Sequence, residues 1–403
     1  MKVLIINSVC GIGSTGRIST DLAEVLEKEG HECKVAYGRG VVPEKCKKYA
    51  VRIGSDMNVR IDGLKTRLFD NAGFNSKAAT KKFLKWVREY NPDLIHLHNI
   101  HGYYINIELL FKFLKDFGKP VVWTLHDCWA FTGHCSHYTE TGCYKWQTAC
   151  DNKCVRKKAY PTSLFMSRAK LNFEKKKALF TSLNELSFIT PSEWLANEAR
   201  QSFLGKYEVT AIPNGVDLDI FKSTDSSFRE KYGLENKKII LGVATAWSVK
   251  KGTKLFAALS QTLSSEHKVV LVGMTKEQAE KMPKEVLCIP RTNSAEELAQ
   301  IYTAADVFLN LGKEETMGLT TVEAMACGTP AVTSNCTAVP EVVDEKSGIV
   351  LENLEIDTII NGINEVLAKE YPNTRARAED YEKSAQYNKY LALYNKCFEI
   401  VGK

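Results

Sequence analysis

The chain has 403 residues, enough for two ordinary domains that each bury a core. Its 44% apolar and 25% charged residues, with ordinary Gly and Pro levels, exclude a disordered or fibrous protein, and no apolar run is long enough to span a bilayer. A net charge of +6 marks no nucleic-acid binder; it fits an enzyme for anionic substrates or one that visits an anionic membrane surface.

Short apolar strands alternate with amphipathic helices along the whole chain. The first strand, Lys2–Asn7, is apolar but lacks the long apolar region and cleavage site of a signal peptide, so the expectation is a cytoplasmic protein with reduced cysteines. A Gly-rich loop, Gly11-Ile-Gly-Ser-Thr-Gly16, leads into a helix near Gly16–Lys28, and Cys33–Tyr37 is the next strand. The loop is a literal G-x-G-x-x-G match, which alone suggests a nicotinamide or flavin site. That reading also requires a carboxylate at the end of the second strand to hold a ribose, where the chain has Gly38-Arg39-Gly40 instead. The loop is left as a tight turn or as an anion-facing backbone loop with Arg17 beside it.

A helix at Lys77–Glu89, a strand at Leu94–Leu97, a helix at Ile107–Phe117 and strands at Val121–Leu125 and Leu186–Thr190 complete the first half. His96 and His98 alternate on a strand and so share a face, which permits either a metal site or a hydrogen-bonded polar layer. His126 is followed by Asp127, but neighbouring side chains on an extended chain diverge, so the two are not a dyad by adjacency. Five of the twelve cysteines follow within 27 residues, at 128, 135, 143, 150 and 154. Cys135, Cys143, Cys150 and Cys154 are candidates for a structural four-thiolate zinc site, or else act as small buried hydrophobes. From Arg156 to Lys177 there are eight basic residues against one acid. Phe165, Ala169 and Phe173 fall on one helical face there, which reads as a partly buried helix able to touch anionic lipid by charge.

After a turn at Ile212–Asp217 a second cycle begins, with strands at Lys238–Val243, Lys268–Gly273, Val286–Ile289, Val307–Asn310 and Ala331–Thr333. Two such series imply two Rossmann-like α/β domains with a cleft between them. The divisions expected are residues 1–207, residues 208–384, and a last helix at 385–403 that returns to the first domain. Lys250 and Lys251 precede Gly252 after a strand, where they can neutralise a diphosphate. Leu298, Ile301, Tyr302 and Ala305 repeat at helical spacing and read as core. In Glu315-Thr-Met-Gly-Leu-Thr320, two carboxylates, Glu315 and Glu323, bracket a turn that opens a helix expected to start at Thr320 and stop at Gly328. Thr320 and Glu323 have capping-box spacing, and the helix start is a site for an anion.

This Glu-x7-Glu stretch with Gly-Leu-Thr inside resembles the donor-sugar motif of the retaining, two-domain (GT-B) glycosyltransferases of family 4, of the kind that build bacterial capsule and O-antigen polysaccharide. The resemblance implies that Met317, Gly318, Leu319, Thr320, Glu323, Lys250 and Lys251 bind a UDP- or GDP-sugar. It further implies that Arg291 lies near the base and His126 and Glu315 near the reacting sugar. It places Gly11, Gly13, Gly16 and Arg17 toward the acceptor and the diphosphate. The acceptor class it implies is a glycan or a lipid-diphosphate-linked oligosaccharide, and it implies no metal or other cofactor for catalysis. The family's arginine a few residues before the Lys-Gly pair is absent, and Lys250 is the candidate to stand in for it. An NAD-linked sugar oxidoreductase and a non-catalytic partner of the same fold are the alternatives. The first is discriminated by nicotinamide binding, and the second is disfavoured by the presence of both glutamates and Lys251.

Overall fold

The computed structural model describes the backbone of residues 1–401 and the side chains of residues 1–398. It divides into two compact units, one formed by Met1–Ile212 with the segment from Tyr387 onward, the other by Pro213–Gln386.

The first unit holds seven strands: β1 (Lys2–Asn7), β2 (Glu32–Tyr37), β3 (Ala50–Arg52), β4 (Leu94–Leu97), β5 (Val121–Thr124), β6 (Ser187–Thr190) and β7 (Val209–Ala211). All pair in parallel, in the order β3-β2-β1-β4-β5-β6-β7. Its helices are α1 (Gly13–Lys28), α2 (Asp56–Phe69), α3 (Lys77–Tyr90), α4 (Ile107–Phe117), α5 (Ala169–Phe180) and α6 (Glu193–Gln201). The second unit has helices α7 (Phe228–Tyr232), α8 (Thr253–Thr262), α9 (Lys276–Ala279), α10 (Ala295–Ala304), α11 (Leu319–Ala326), α12 (Ile356–Leu367) and α13 (Thr374–Glu379). Its six parallel strands are β8 (Lys238–Val243), β9 (His267–Val272), β10 (Leu287–Ile289), β11 (Val307–Asn310), β12 (Ala331–Thr333) and β13 (Gly348–Val350), in the order β10-β9-β8-β11-β12-β13. The final helix, α14 (Lys383–Val401), buries Tyr387, Tyr390 and Tyr394 beside Val3, Ile5 and Ile189 in the first unit's core.

Each sheet is Rossmann-like because its central strands are apolar on both faces. Val3–Asn7 of β1 and all of β4 are buried, and parallel strands of that kind must be covered by helices on both sides. Strand order reverses direction once in each sheet, between β1 and β4 and between β8 and β11. The loops leaving those strands are therefore where a ligand site forms.

Three expectations are corrected. The basic segment after Arg156 is not one helix: α5 starts only at Ala169, so Phe165 sits in a loop, 70% exposed, while Ala169 and Phe173 are buried. Helix α1 starts at Gly13 rather than near Gly16. Helix α11 starts at Leu319 without the expected capping box, because Gly318, with φ +92°, turns the chain into the helix and no side chain caps it. Among the described residues no helix is long and apolar enough to cross a membrane.

Candidate active site

In the second unit the site grows from the two loops at the sheet's reversal. After β8, a single turn carries Lys250 and Lys251 and ends at Gly252, whose φ is +84°. A Cβ at Gly252 would lie 2.8 Å from Leu311 Cβ, so the glycine lets the two loops touch. After β11, Gly312 N–H donates to Asn310 Oδ1 at 3.1 Å, and Asn310 Nδ2 donates to Thr321 Oγ1 at 3.0 Å, fixing the strand end to the start of α11. The loops are then joined by charge. Lys250 Nζ lies 2.5 Å from Glu314 Oε2, and Lys251 is ion-paired with Glu315. Lys313 N–H donates to Lys250 O at 3.0 Å and locks the register. Glu315 is held again through its backbone, which exchanges hydrogen bonds with the Thr337 hydroxyl at 3.0 and 2.6 Å.

Beside these pairs the N-terminus of α11 is open: no side chain caps it and no acid lies in its first turn. The first-turn amides and the helix dipole therefore favour an anion there. Glu323 is buried, and its Oε2 accepts from Tyr302 OH at 2.9 Å, so it is oriented from α10 instead of capping its own helix. Met317 is buried, and its sulfur accepts from Asn214 N–H at 3.2 Å. Arg291 is exposed on the loop after β10 and makes no hydrogen bond or ion pair with the lysine–glutamate cluster.

Glu314 was missed from the sequence, although the Glu314-Glu315 doublet matches Lys250-Lys251 in size and opposite sign. Tyr302 was read as core only. It is fully buried, but its hydroxyl also orients Glu323.

In the first unit the Gly loop follows β1. Gly11 N–H donates to Gly16 O at 3.0 Å, and Gly11 has φ +70°. A Cβ on Gly11 would come 2.8 Å from Cys46 Sγ, so with its φ this position requires glycine, and one on Gly16 would sit tightly, 3.0 Å from Val9 Cγ2. Gly13 has φ +64° with open space around it, and Arg17 is exposed on α1. Helix α1 likewise has no side-chain cap and no first-turn acid.

The loops after β4 and β5 carry the histidines. Tyr394 OH and Thr124 Oγ1 flank His96 at 2.6 and 2.8 Å, and His98 Nδ1 lies 2.8 Å from His126 Nε2. His101 bridges Tyr160 OH at 3.1 Å and Asp127 Oδ2 at 3.0 Å. Asp127 is thus paired with His101, while its charge also acts upward on its neighbour His126. Burial pushes His96 down to about 3 and His126 to about 4, and holds His98 well below its ordinary value. For Asp127 burial acts upward, but the charge and hydrogen bond of His101, the charge of His137 and the Trp129 N–H together lower the carboxyl to about 2. His96, His98 and His126 are thus neutral at pH 7, forming a hydrogen-bonded layer.

A pH prediction follows. Between the ordinary histidine value and about 4 the unfolded chain binds more protons than the folded one, so stability is complete above about pH 6.5 and falls as pH drops toward 4. Urea midpoints measured at pH 7, 6, 5 and 4 should decline, and His126→Gln should flatten that slope by roughly one proton. An unchanged slope would place His126 outside the acid-sensitive set.

Cys135, Cys143, Cys150 and Cys154 line one small pocket with His134 and Trp146. Among the described residues, however, no group of three or more His, Cys, Asp or Glu side chains is arranged to hold a metal ion. Cys135 lies in the first unit's core, and Cys143 and Cys150 pack against it. Burial is the largest effect raising the thiols of Cys135, to about 12, and Cys150, to about 11, and such groups pack as small hydrophobes.

Residues 15–220 match the family described as Glycosyltransferase Family 4, and residues 225–385 match Glycosyl transferases group 1. The chain belongs to glycosyltransferase family 4. The Escherichia coli K12 protein named as a colanic acid biosynthesis glycosyl transferase, WcaC, is 29% identical over 235 residues, covering 54% of this family 4 chain and 55% of that protein. The chain spans about half the length of the curated relatives it matches. Sucrose-phosphate synthase from Thermosynechococcus elongatus superposes with a TM-score of 0.73 at 19% identity, covering 99% of each chain. Anabaena HepE, solved with UDP and glucose, superposes with a TM-score of 0.67 at 16% identity, covering 98% of this chain and 99% of that one. At these identities the likeness is one of fold: two Rossmann-like domains of the GT-B class.

Proposed function

We propose that this protein transfers one hexose-type unit from a UDP- or GDP-sugar to a glycan or lipid-diphosphate-linked oligosaccharide, retaining the anomeric configuration, during synthesis of a surface polysaccharide. The observation that carries the reading is the pair of lysine–glutamate bridges lying beside the uncapped start of α11. The UDP in the HepE structure and the colanic acid assignment of WcaC support the donor class and the pathway class respectively.

In this reading the diphosphate meets the first-turn amides of α11 and the two lysines. The lysines take up the charge that grows on the leaving group, which is the larger part of lowering the barrier. Glu315 turns from Lys251 to the sugar hydroxyls, and Glu323, oriented by Tyr302, addresses the ribose. The acceptor hydroxyl attacks the anomeric carbon on the face the diphosphate leaves. The sugar–phosphate bond breaks with its electron pair going to phosphate, and that phosphate oxygen takes the acceptor's proton. His126, neutral at pH 7, serves as a hydrogen-bonding group for the donor sugar. The nicotinamide alternative lacks its ribose carboxylate, because β2 ends at Tyr37 and continues into Gly38-Arg39.

The test is incubation with UDP- and GDP-sugars and a lipid-diphosphate-linked acceptor, followed by NMR of the product's anomeric proton. The expected product has the donor's configuration and is released with nucleoside diphosphate. An inverted product would overturn the retaining assignment, and nucleotide-sugar turnover absent with every donor would overturn the transferase reading.

A further inference from the structure

Helix α2 packs Val59 against the core but otherwise departs from the pattern of an ordinary surface helix. The residues it buries are polar or lack a side chain: Asp62, Gly63 and Thr66. Asp62 accepts hydrogen bonds beneath the helix from Ser76 Oγ at 2.5 Å, Asn75 Nδ2 at 3.1 Å and Thr66 Oγ1 at 3.3 Å. The outward face carries Met57, Ile61 and Leu64, which are 60%, 45% and 57% exposed. Their i, i+4, i+7 spacing stacks them in one stripe. A soluble helix normally points such a stripe at the core.

A second segment extends this face. Leu164, Phe165 and Met166 are exposed, and Leu164 N–H donates to Arg67 O at 2.8 Å, which fastens the loop to the end of α2. Seven of the thirteen large hydrophobic residues exposed among the described residues lie in α2 and this loop, so they form a patch and are not scatter. The charges nearest the stripe are basic. At 100° per residue Arg60 and Arg67 lie on one side of it and Lys65 on the other, all exposed. The helix's exposed acid, Asp56, is held by Arg52 at 2.5 Å.

We propose that α2 and the 164–166 loop form a docking surface for an anionic phospholipid bilayer, with the apolar stripe set into the acyl boundary and the basic flanks at the headgroups. The charge decides for lipid over another protein or a second copy of this chain. Two identical faces with basic flanks repel each other, whereas an anionic bilayer supplies both the apolar layer and the counter-charge. The inference rests on exposure and charge in the first unit, not on the transferase reading, and it is tested without donor or acceptor.

The experiment is co-sedimentation of the full chain with phosphatidylglycerol–phosphatidylcholine vesicles and with pure phosphatidylcholine vesicles at low and high salt. Binding is expected to the anionic vesicles, weaker in high salt. The triple variant Ile61→Glu, Leu64→Glu, Phe165→Glu should lose it by at least tenfold, and Arg60→Glu with Lys65→Glu should lose the preference for anionic lipid. Because all five residues are exposed, the melting temperature should stay close to wild type, and circular dichroism checks the fold. No binding by the wild-type chain, or equal binding by the triple variant, would overturn the proposal. So would a wild-type dimer in light scattering that the triple variant converts to monomer, since the face would then be a protein interface.

Discussion

Glu315→Ala should lower sugar transfer by at least about 100-fold, the scale on which loss of one group aligned with the transition state acts. The melting temperature should move little. Glu315 is a loop carboxylate whose backbone remains tied to Thr337, and its partner Lys251 is one-third exposed and can turn to water when the carboxylate is gone. The conservative Glu315→Gln should retain the backbone contacts and the shape but not the charge, and should fall between the two. Comparable turnover in wild type and Glu315→Ala would remove this residue from the reaction.

The largest effect on stability is expected at Asp70, which no motif or spacing in the chain singles out. It ends α2 in the left-handed region at φ 48° and is buried. Its carboxylate is hydrogen-bonded to buried His134 Nδ1 of the cysteine-rich insert and accepts from Arg168 N–H at 2.6 Å, while its carbonyl accepts from Asn172 Nδ2 at 2.7 Å. One residue thus ties together α2, the insert and the start of α5. Asp70→Ala leaves buried His134 and the part-buried Arg168 N–H without their acceptor and replaces a residue type that tolerates the left-handed region by one that does not, so the loss should be about 3–5 kcal/mol. Asp70→Asn, which tolerates that backbone and keeps one acceptor oxygen, should cost less. Urea denaturation of both variants checks the order, and equal midpoints for wild type and Asp70→Ala would contradict it.

The parts of the fold that could be read from the chain are those whose apolar pattern is local. β1, β4, β8, β11 and α4 are runs or stripes of apolar residues facing a core, and their ends fall where that pattern stops. Helix α2 shows no such stripe for the opposite reason, since most of its apolar residues are exposed and its fully buried ones are Asp62, Gly63 and Thr66. Strands β3, β7 and β13 are three residues long, too short to show a period. At the candidate site, the lysine doublet and Glu315 stood out because their types and spacing are uncommon. The role of Tyr302 and the pairing of Glu314 did not, since both depend on contacts across loops or helices far apart in sequence. The capping box at Thr320 failed because Gly318, by its φ of +92°, opens the helix one residue earlier and leaves Glu323 to Tyr302. The four cysteines line one pocket, but among the described residues no group of three is arranged to hold a metal ion, and spacing alone does not separate thiols that bind metal from thiols that serve a core.

Calorimetric titration of the wild-type chain and Lys251→Ala with UDP, GDP and the corresponding nucleosides tests the central claim most directly. The account predicts that one diphosphate binds wild type with a clear preference over its nucleoside, and that Lys251→Ala weakens the diphosphate by roughly tenfold or more while changing the nucleoside little, because the lysine addresses phosphate charge. Equal losses for both ligands, or no nucleoside diphosphate binding to wild type, would contradict it.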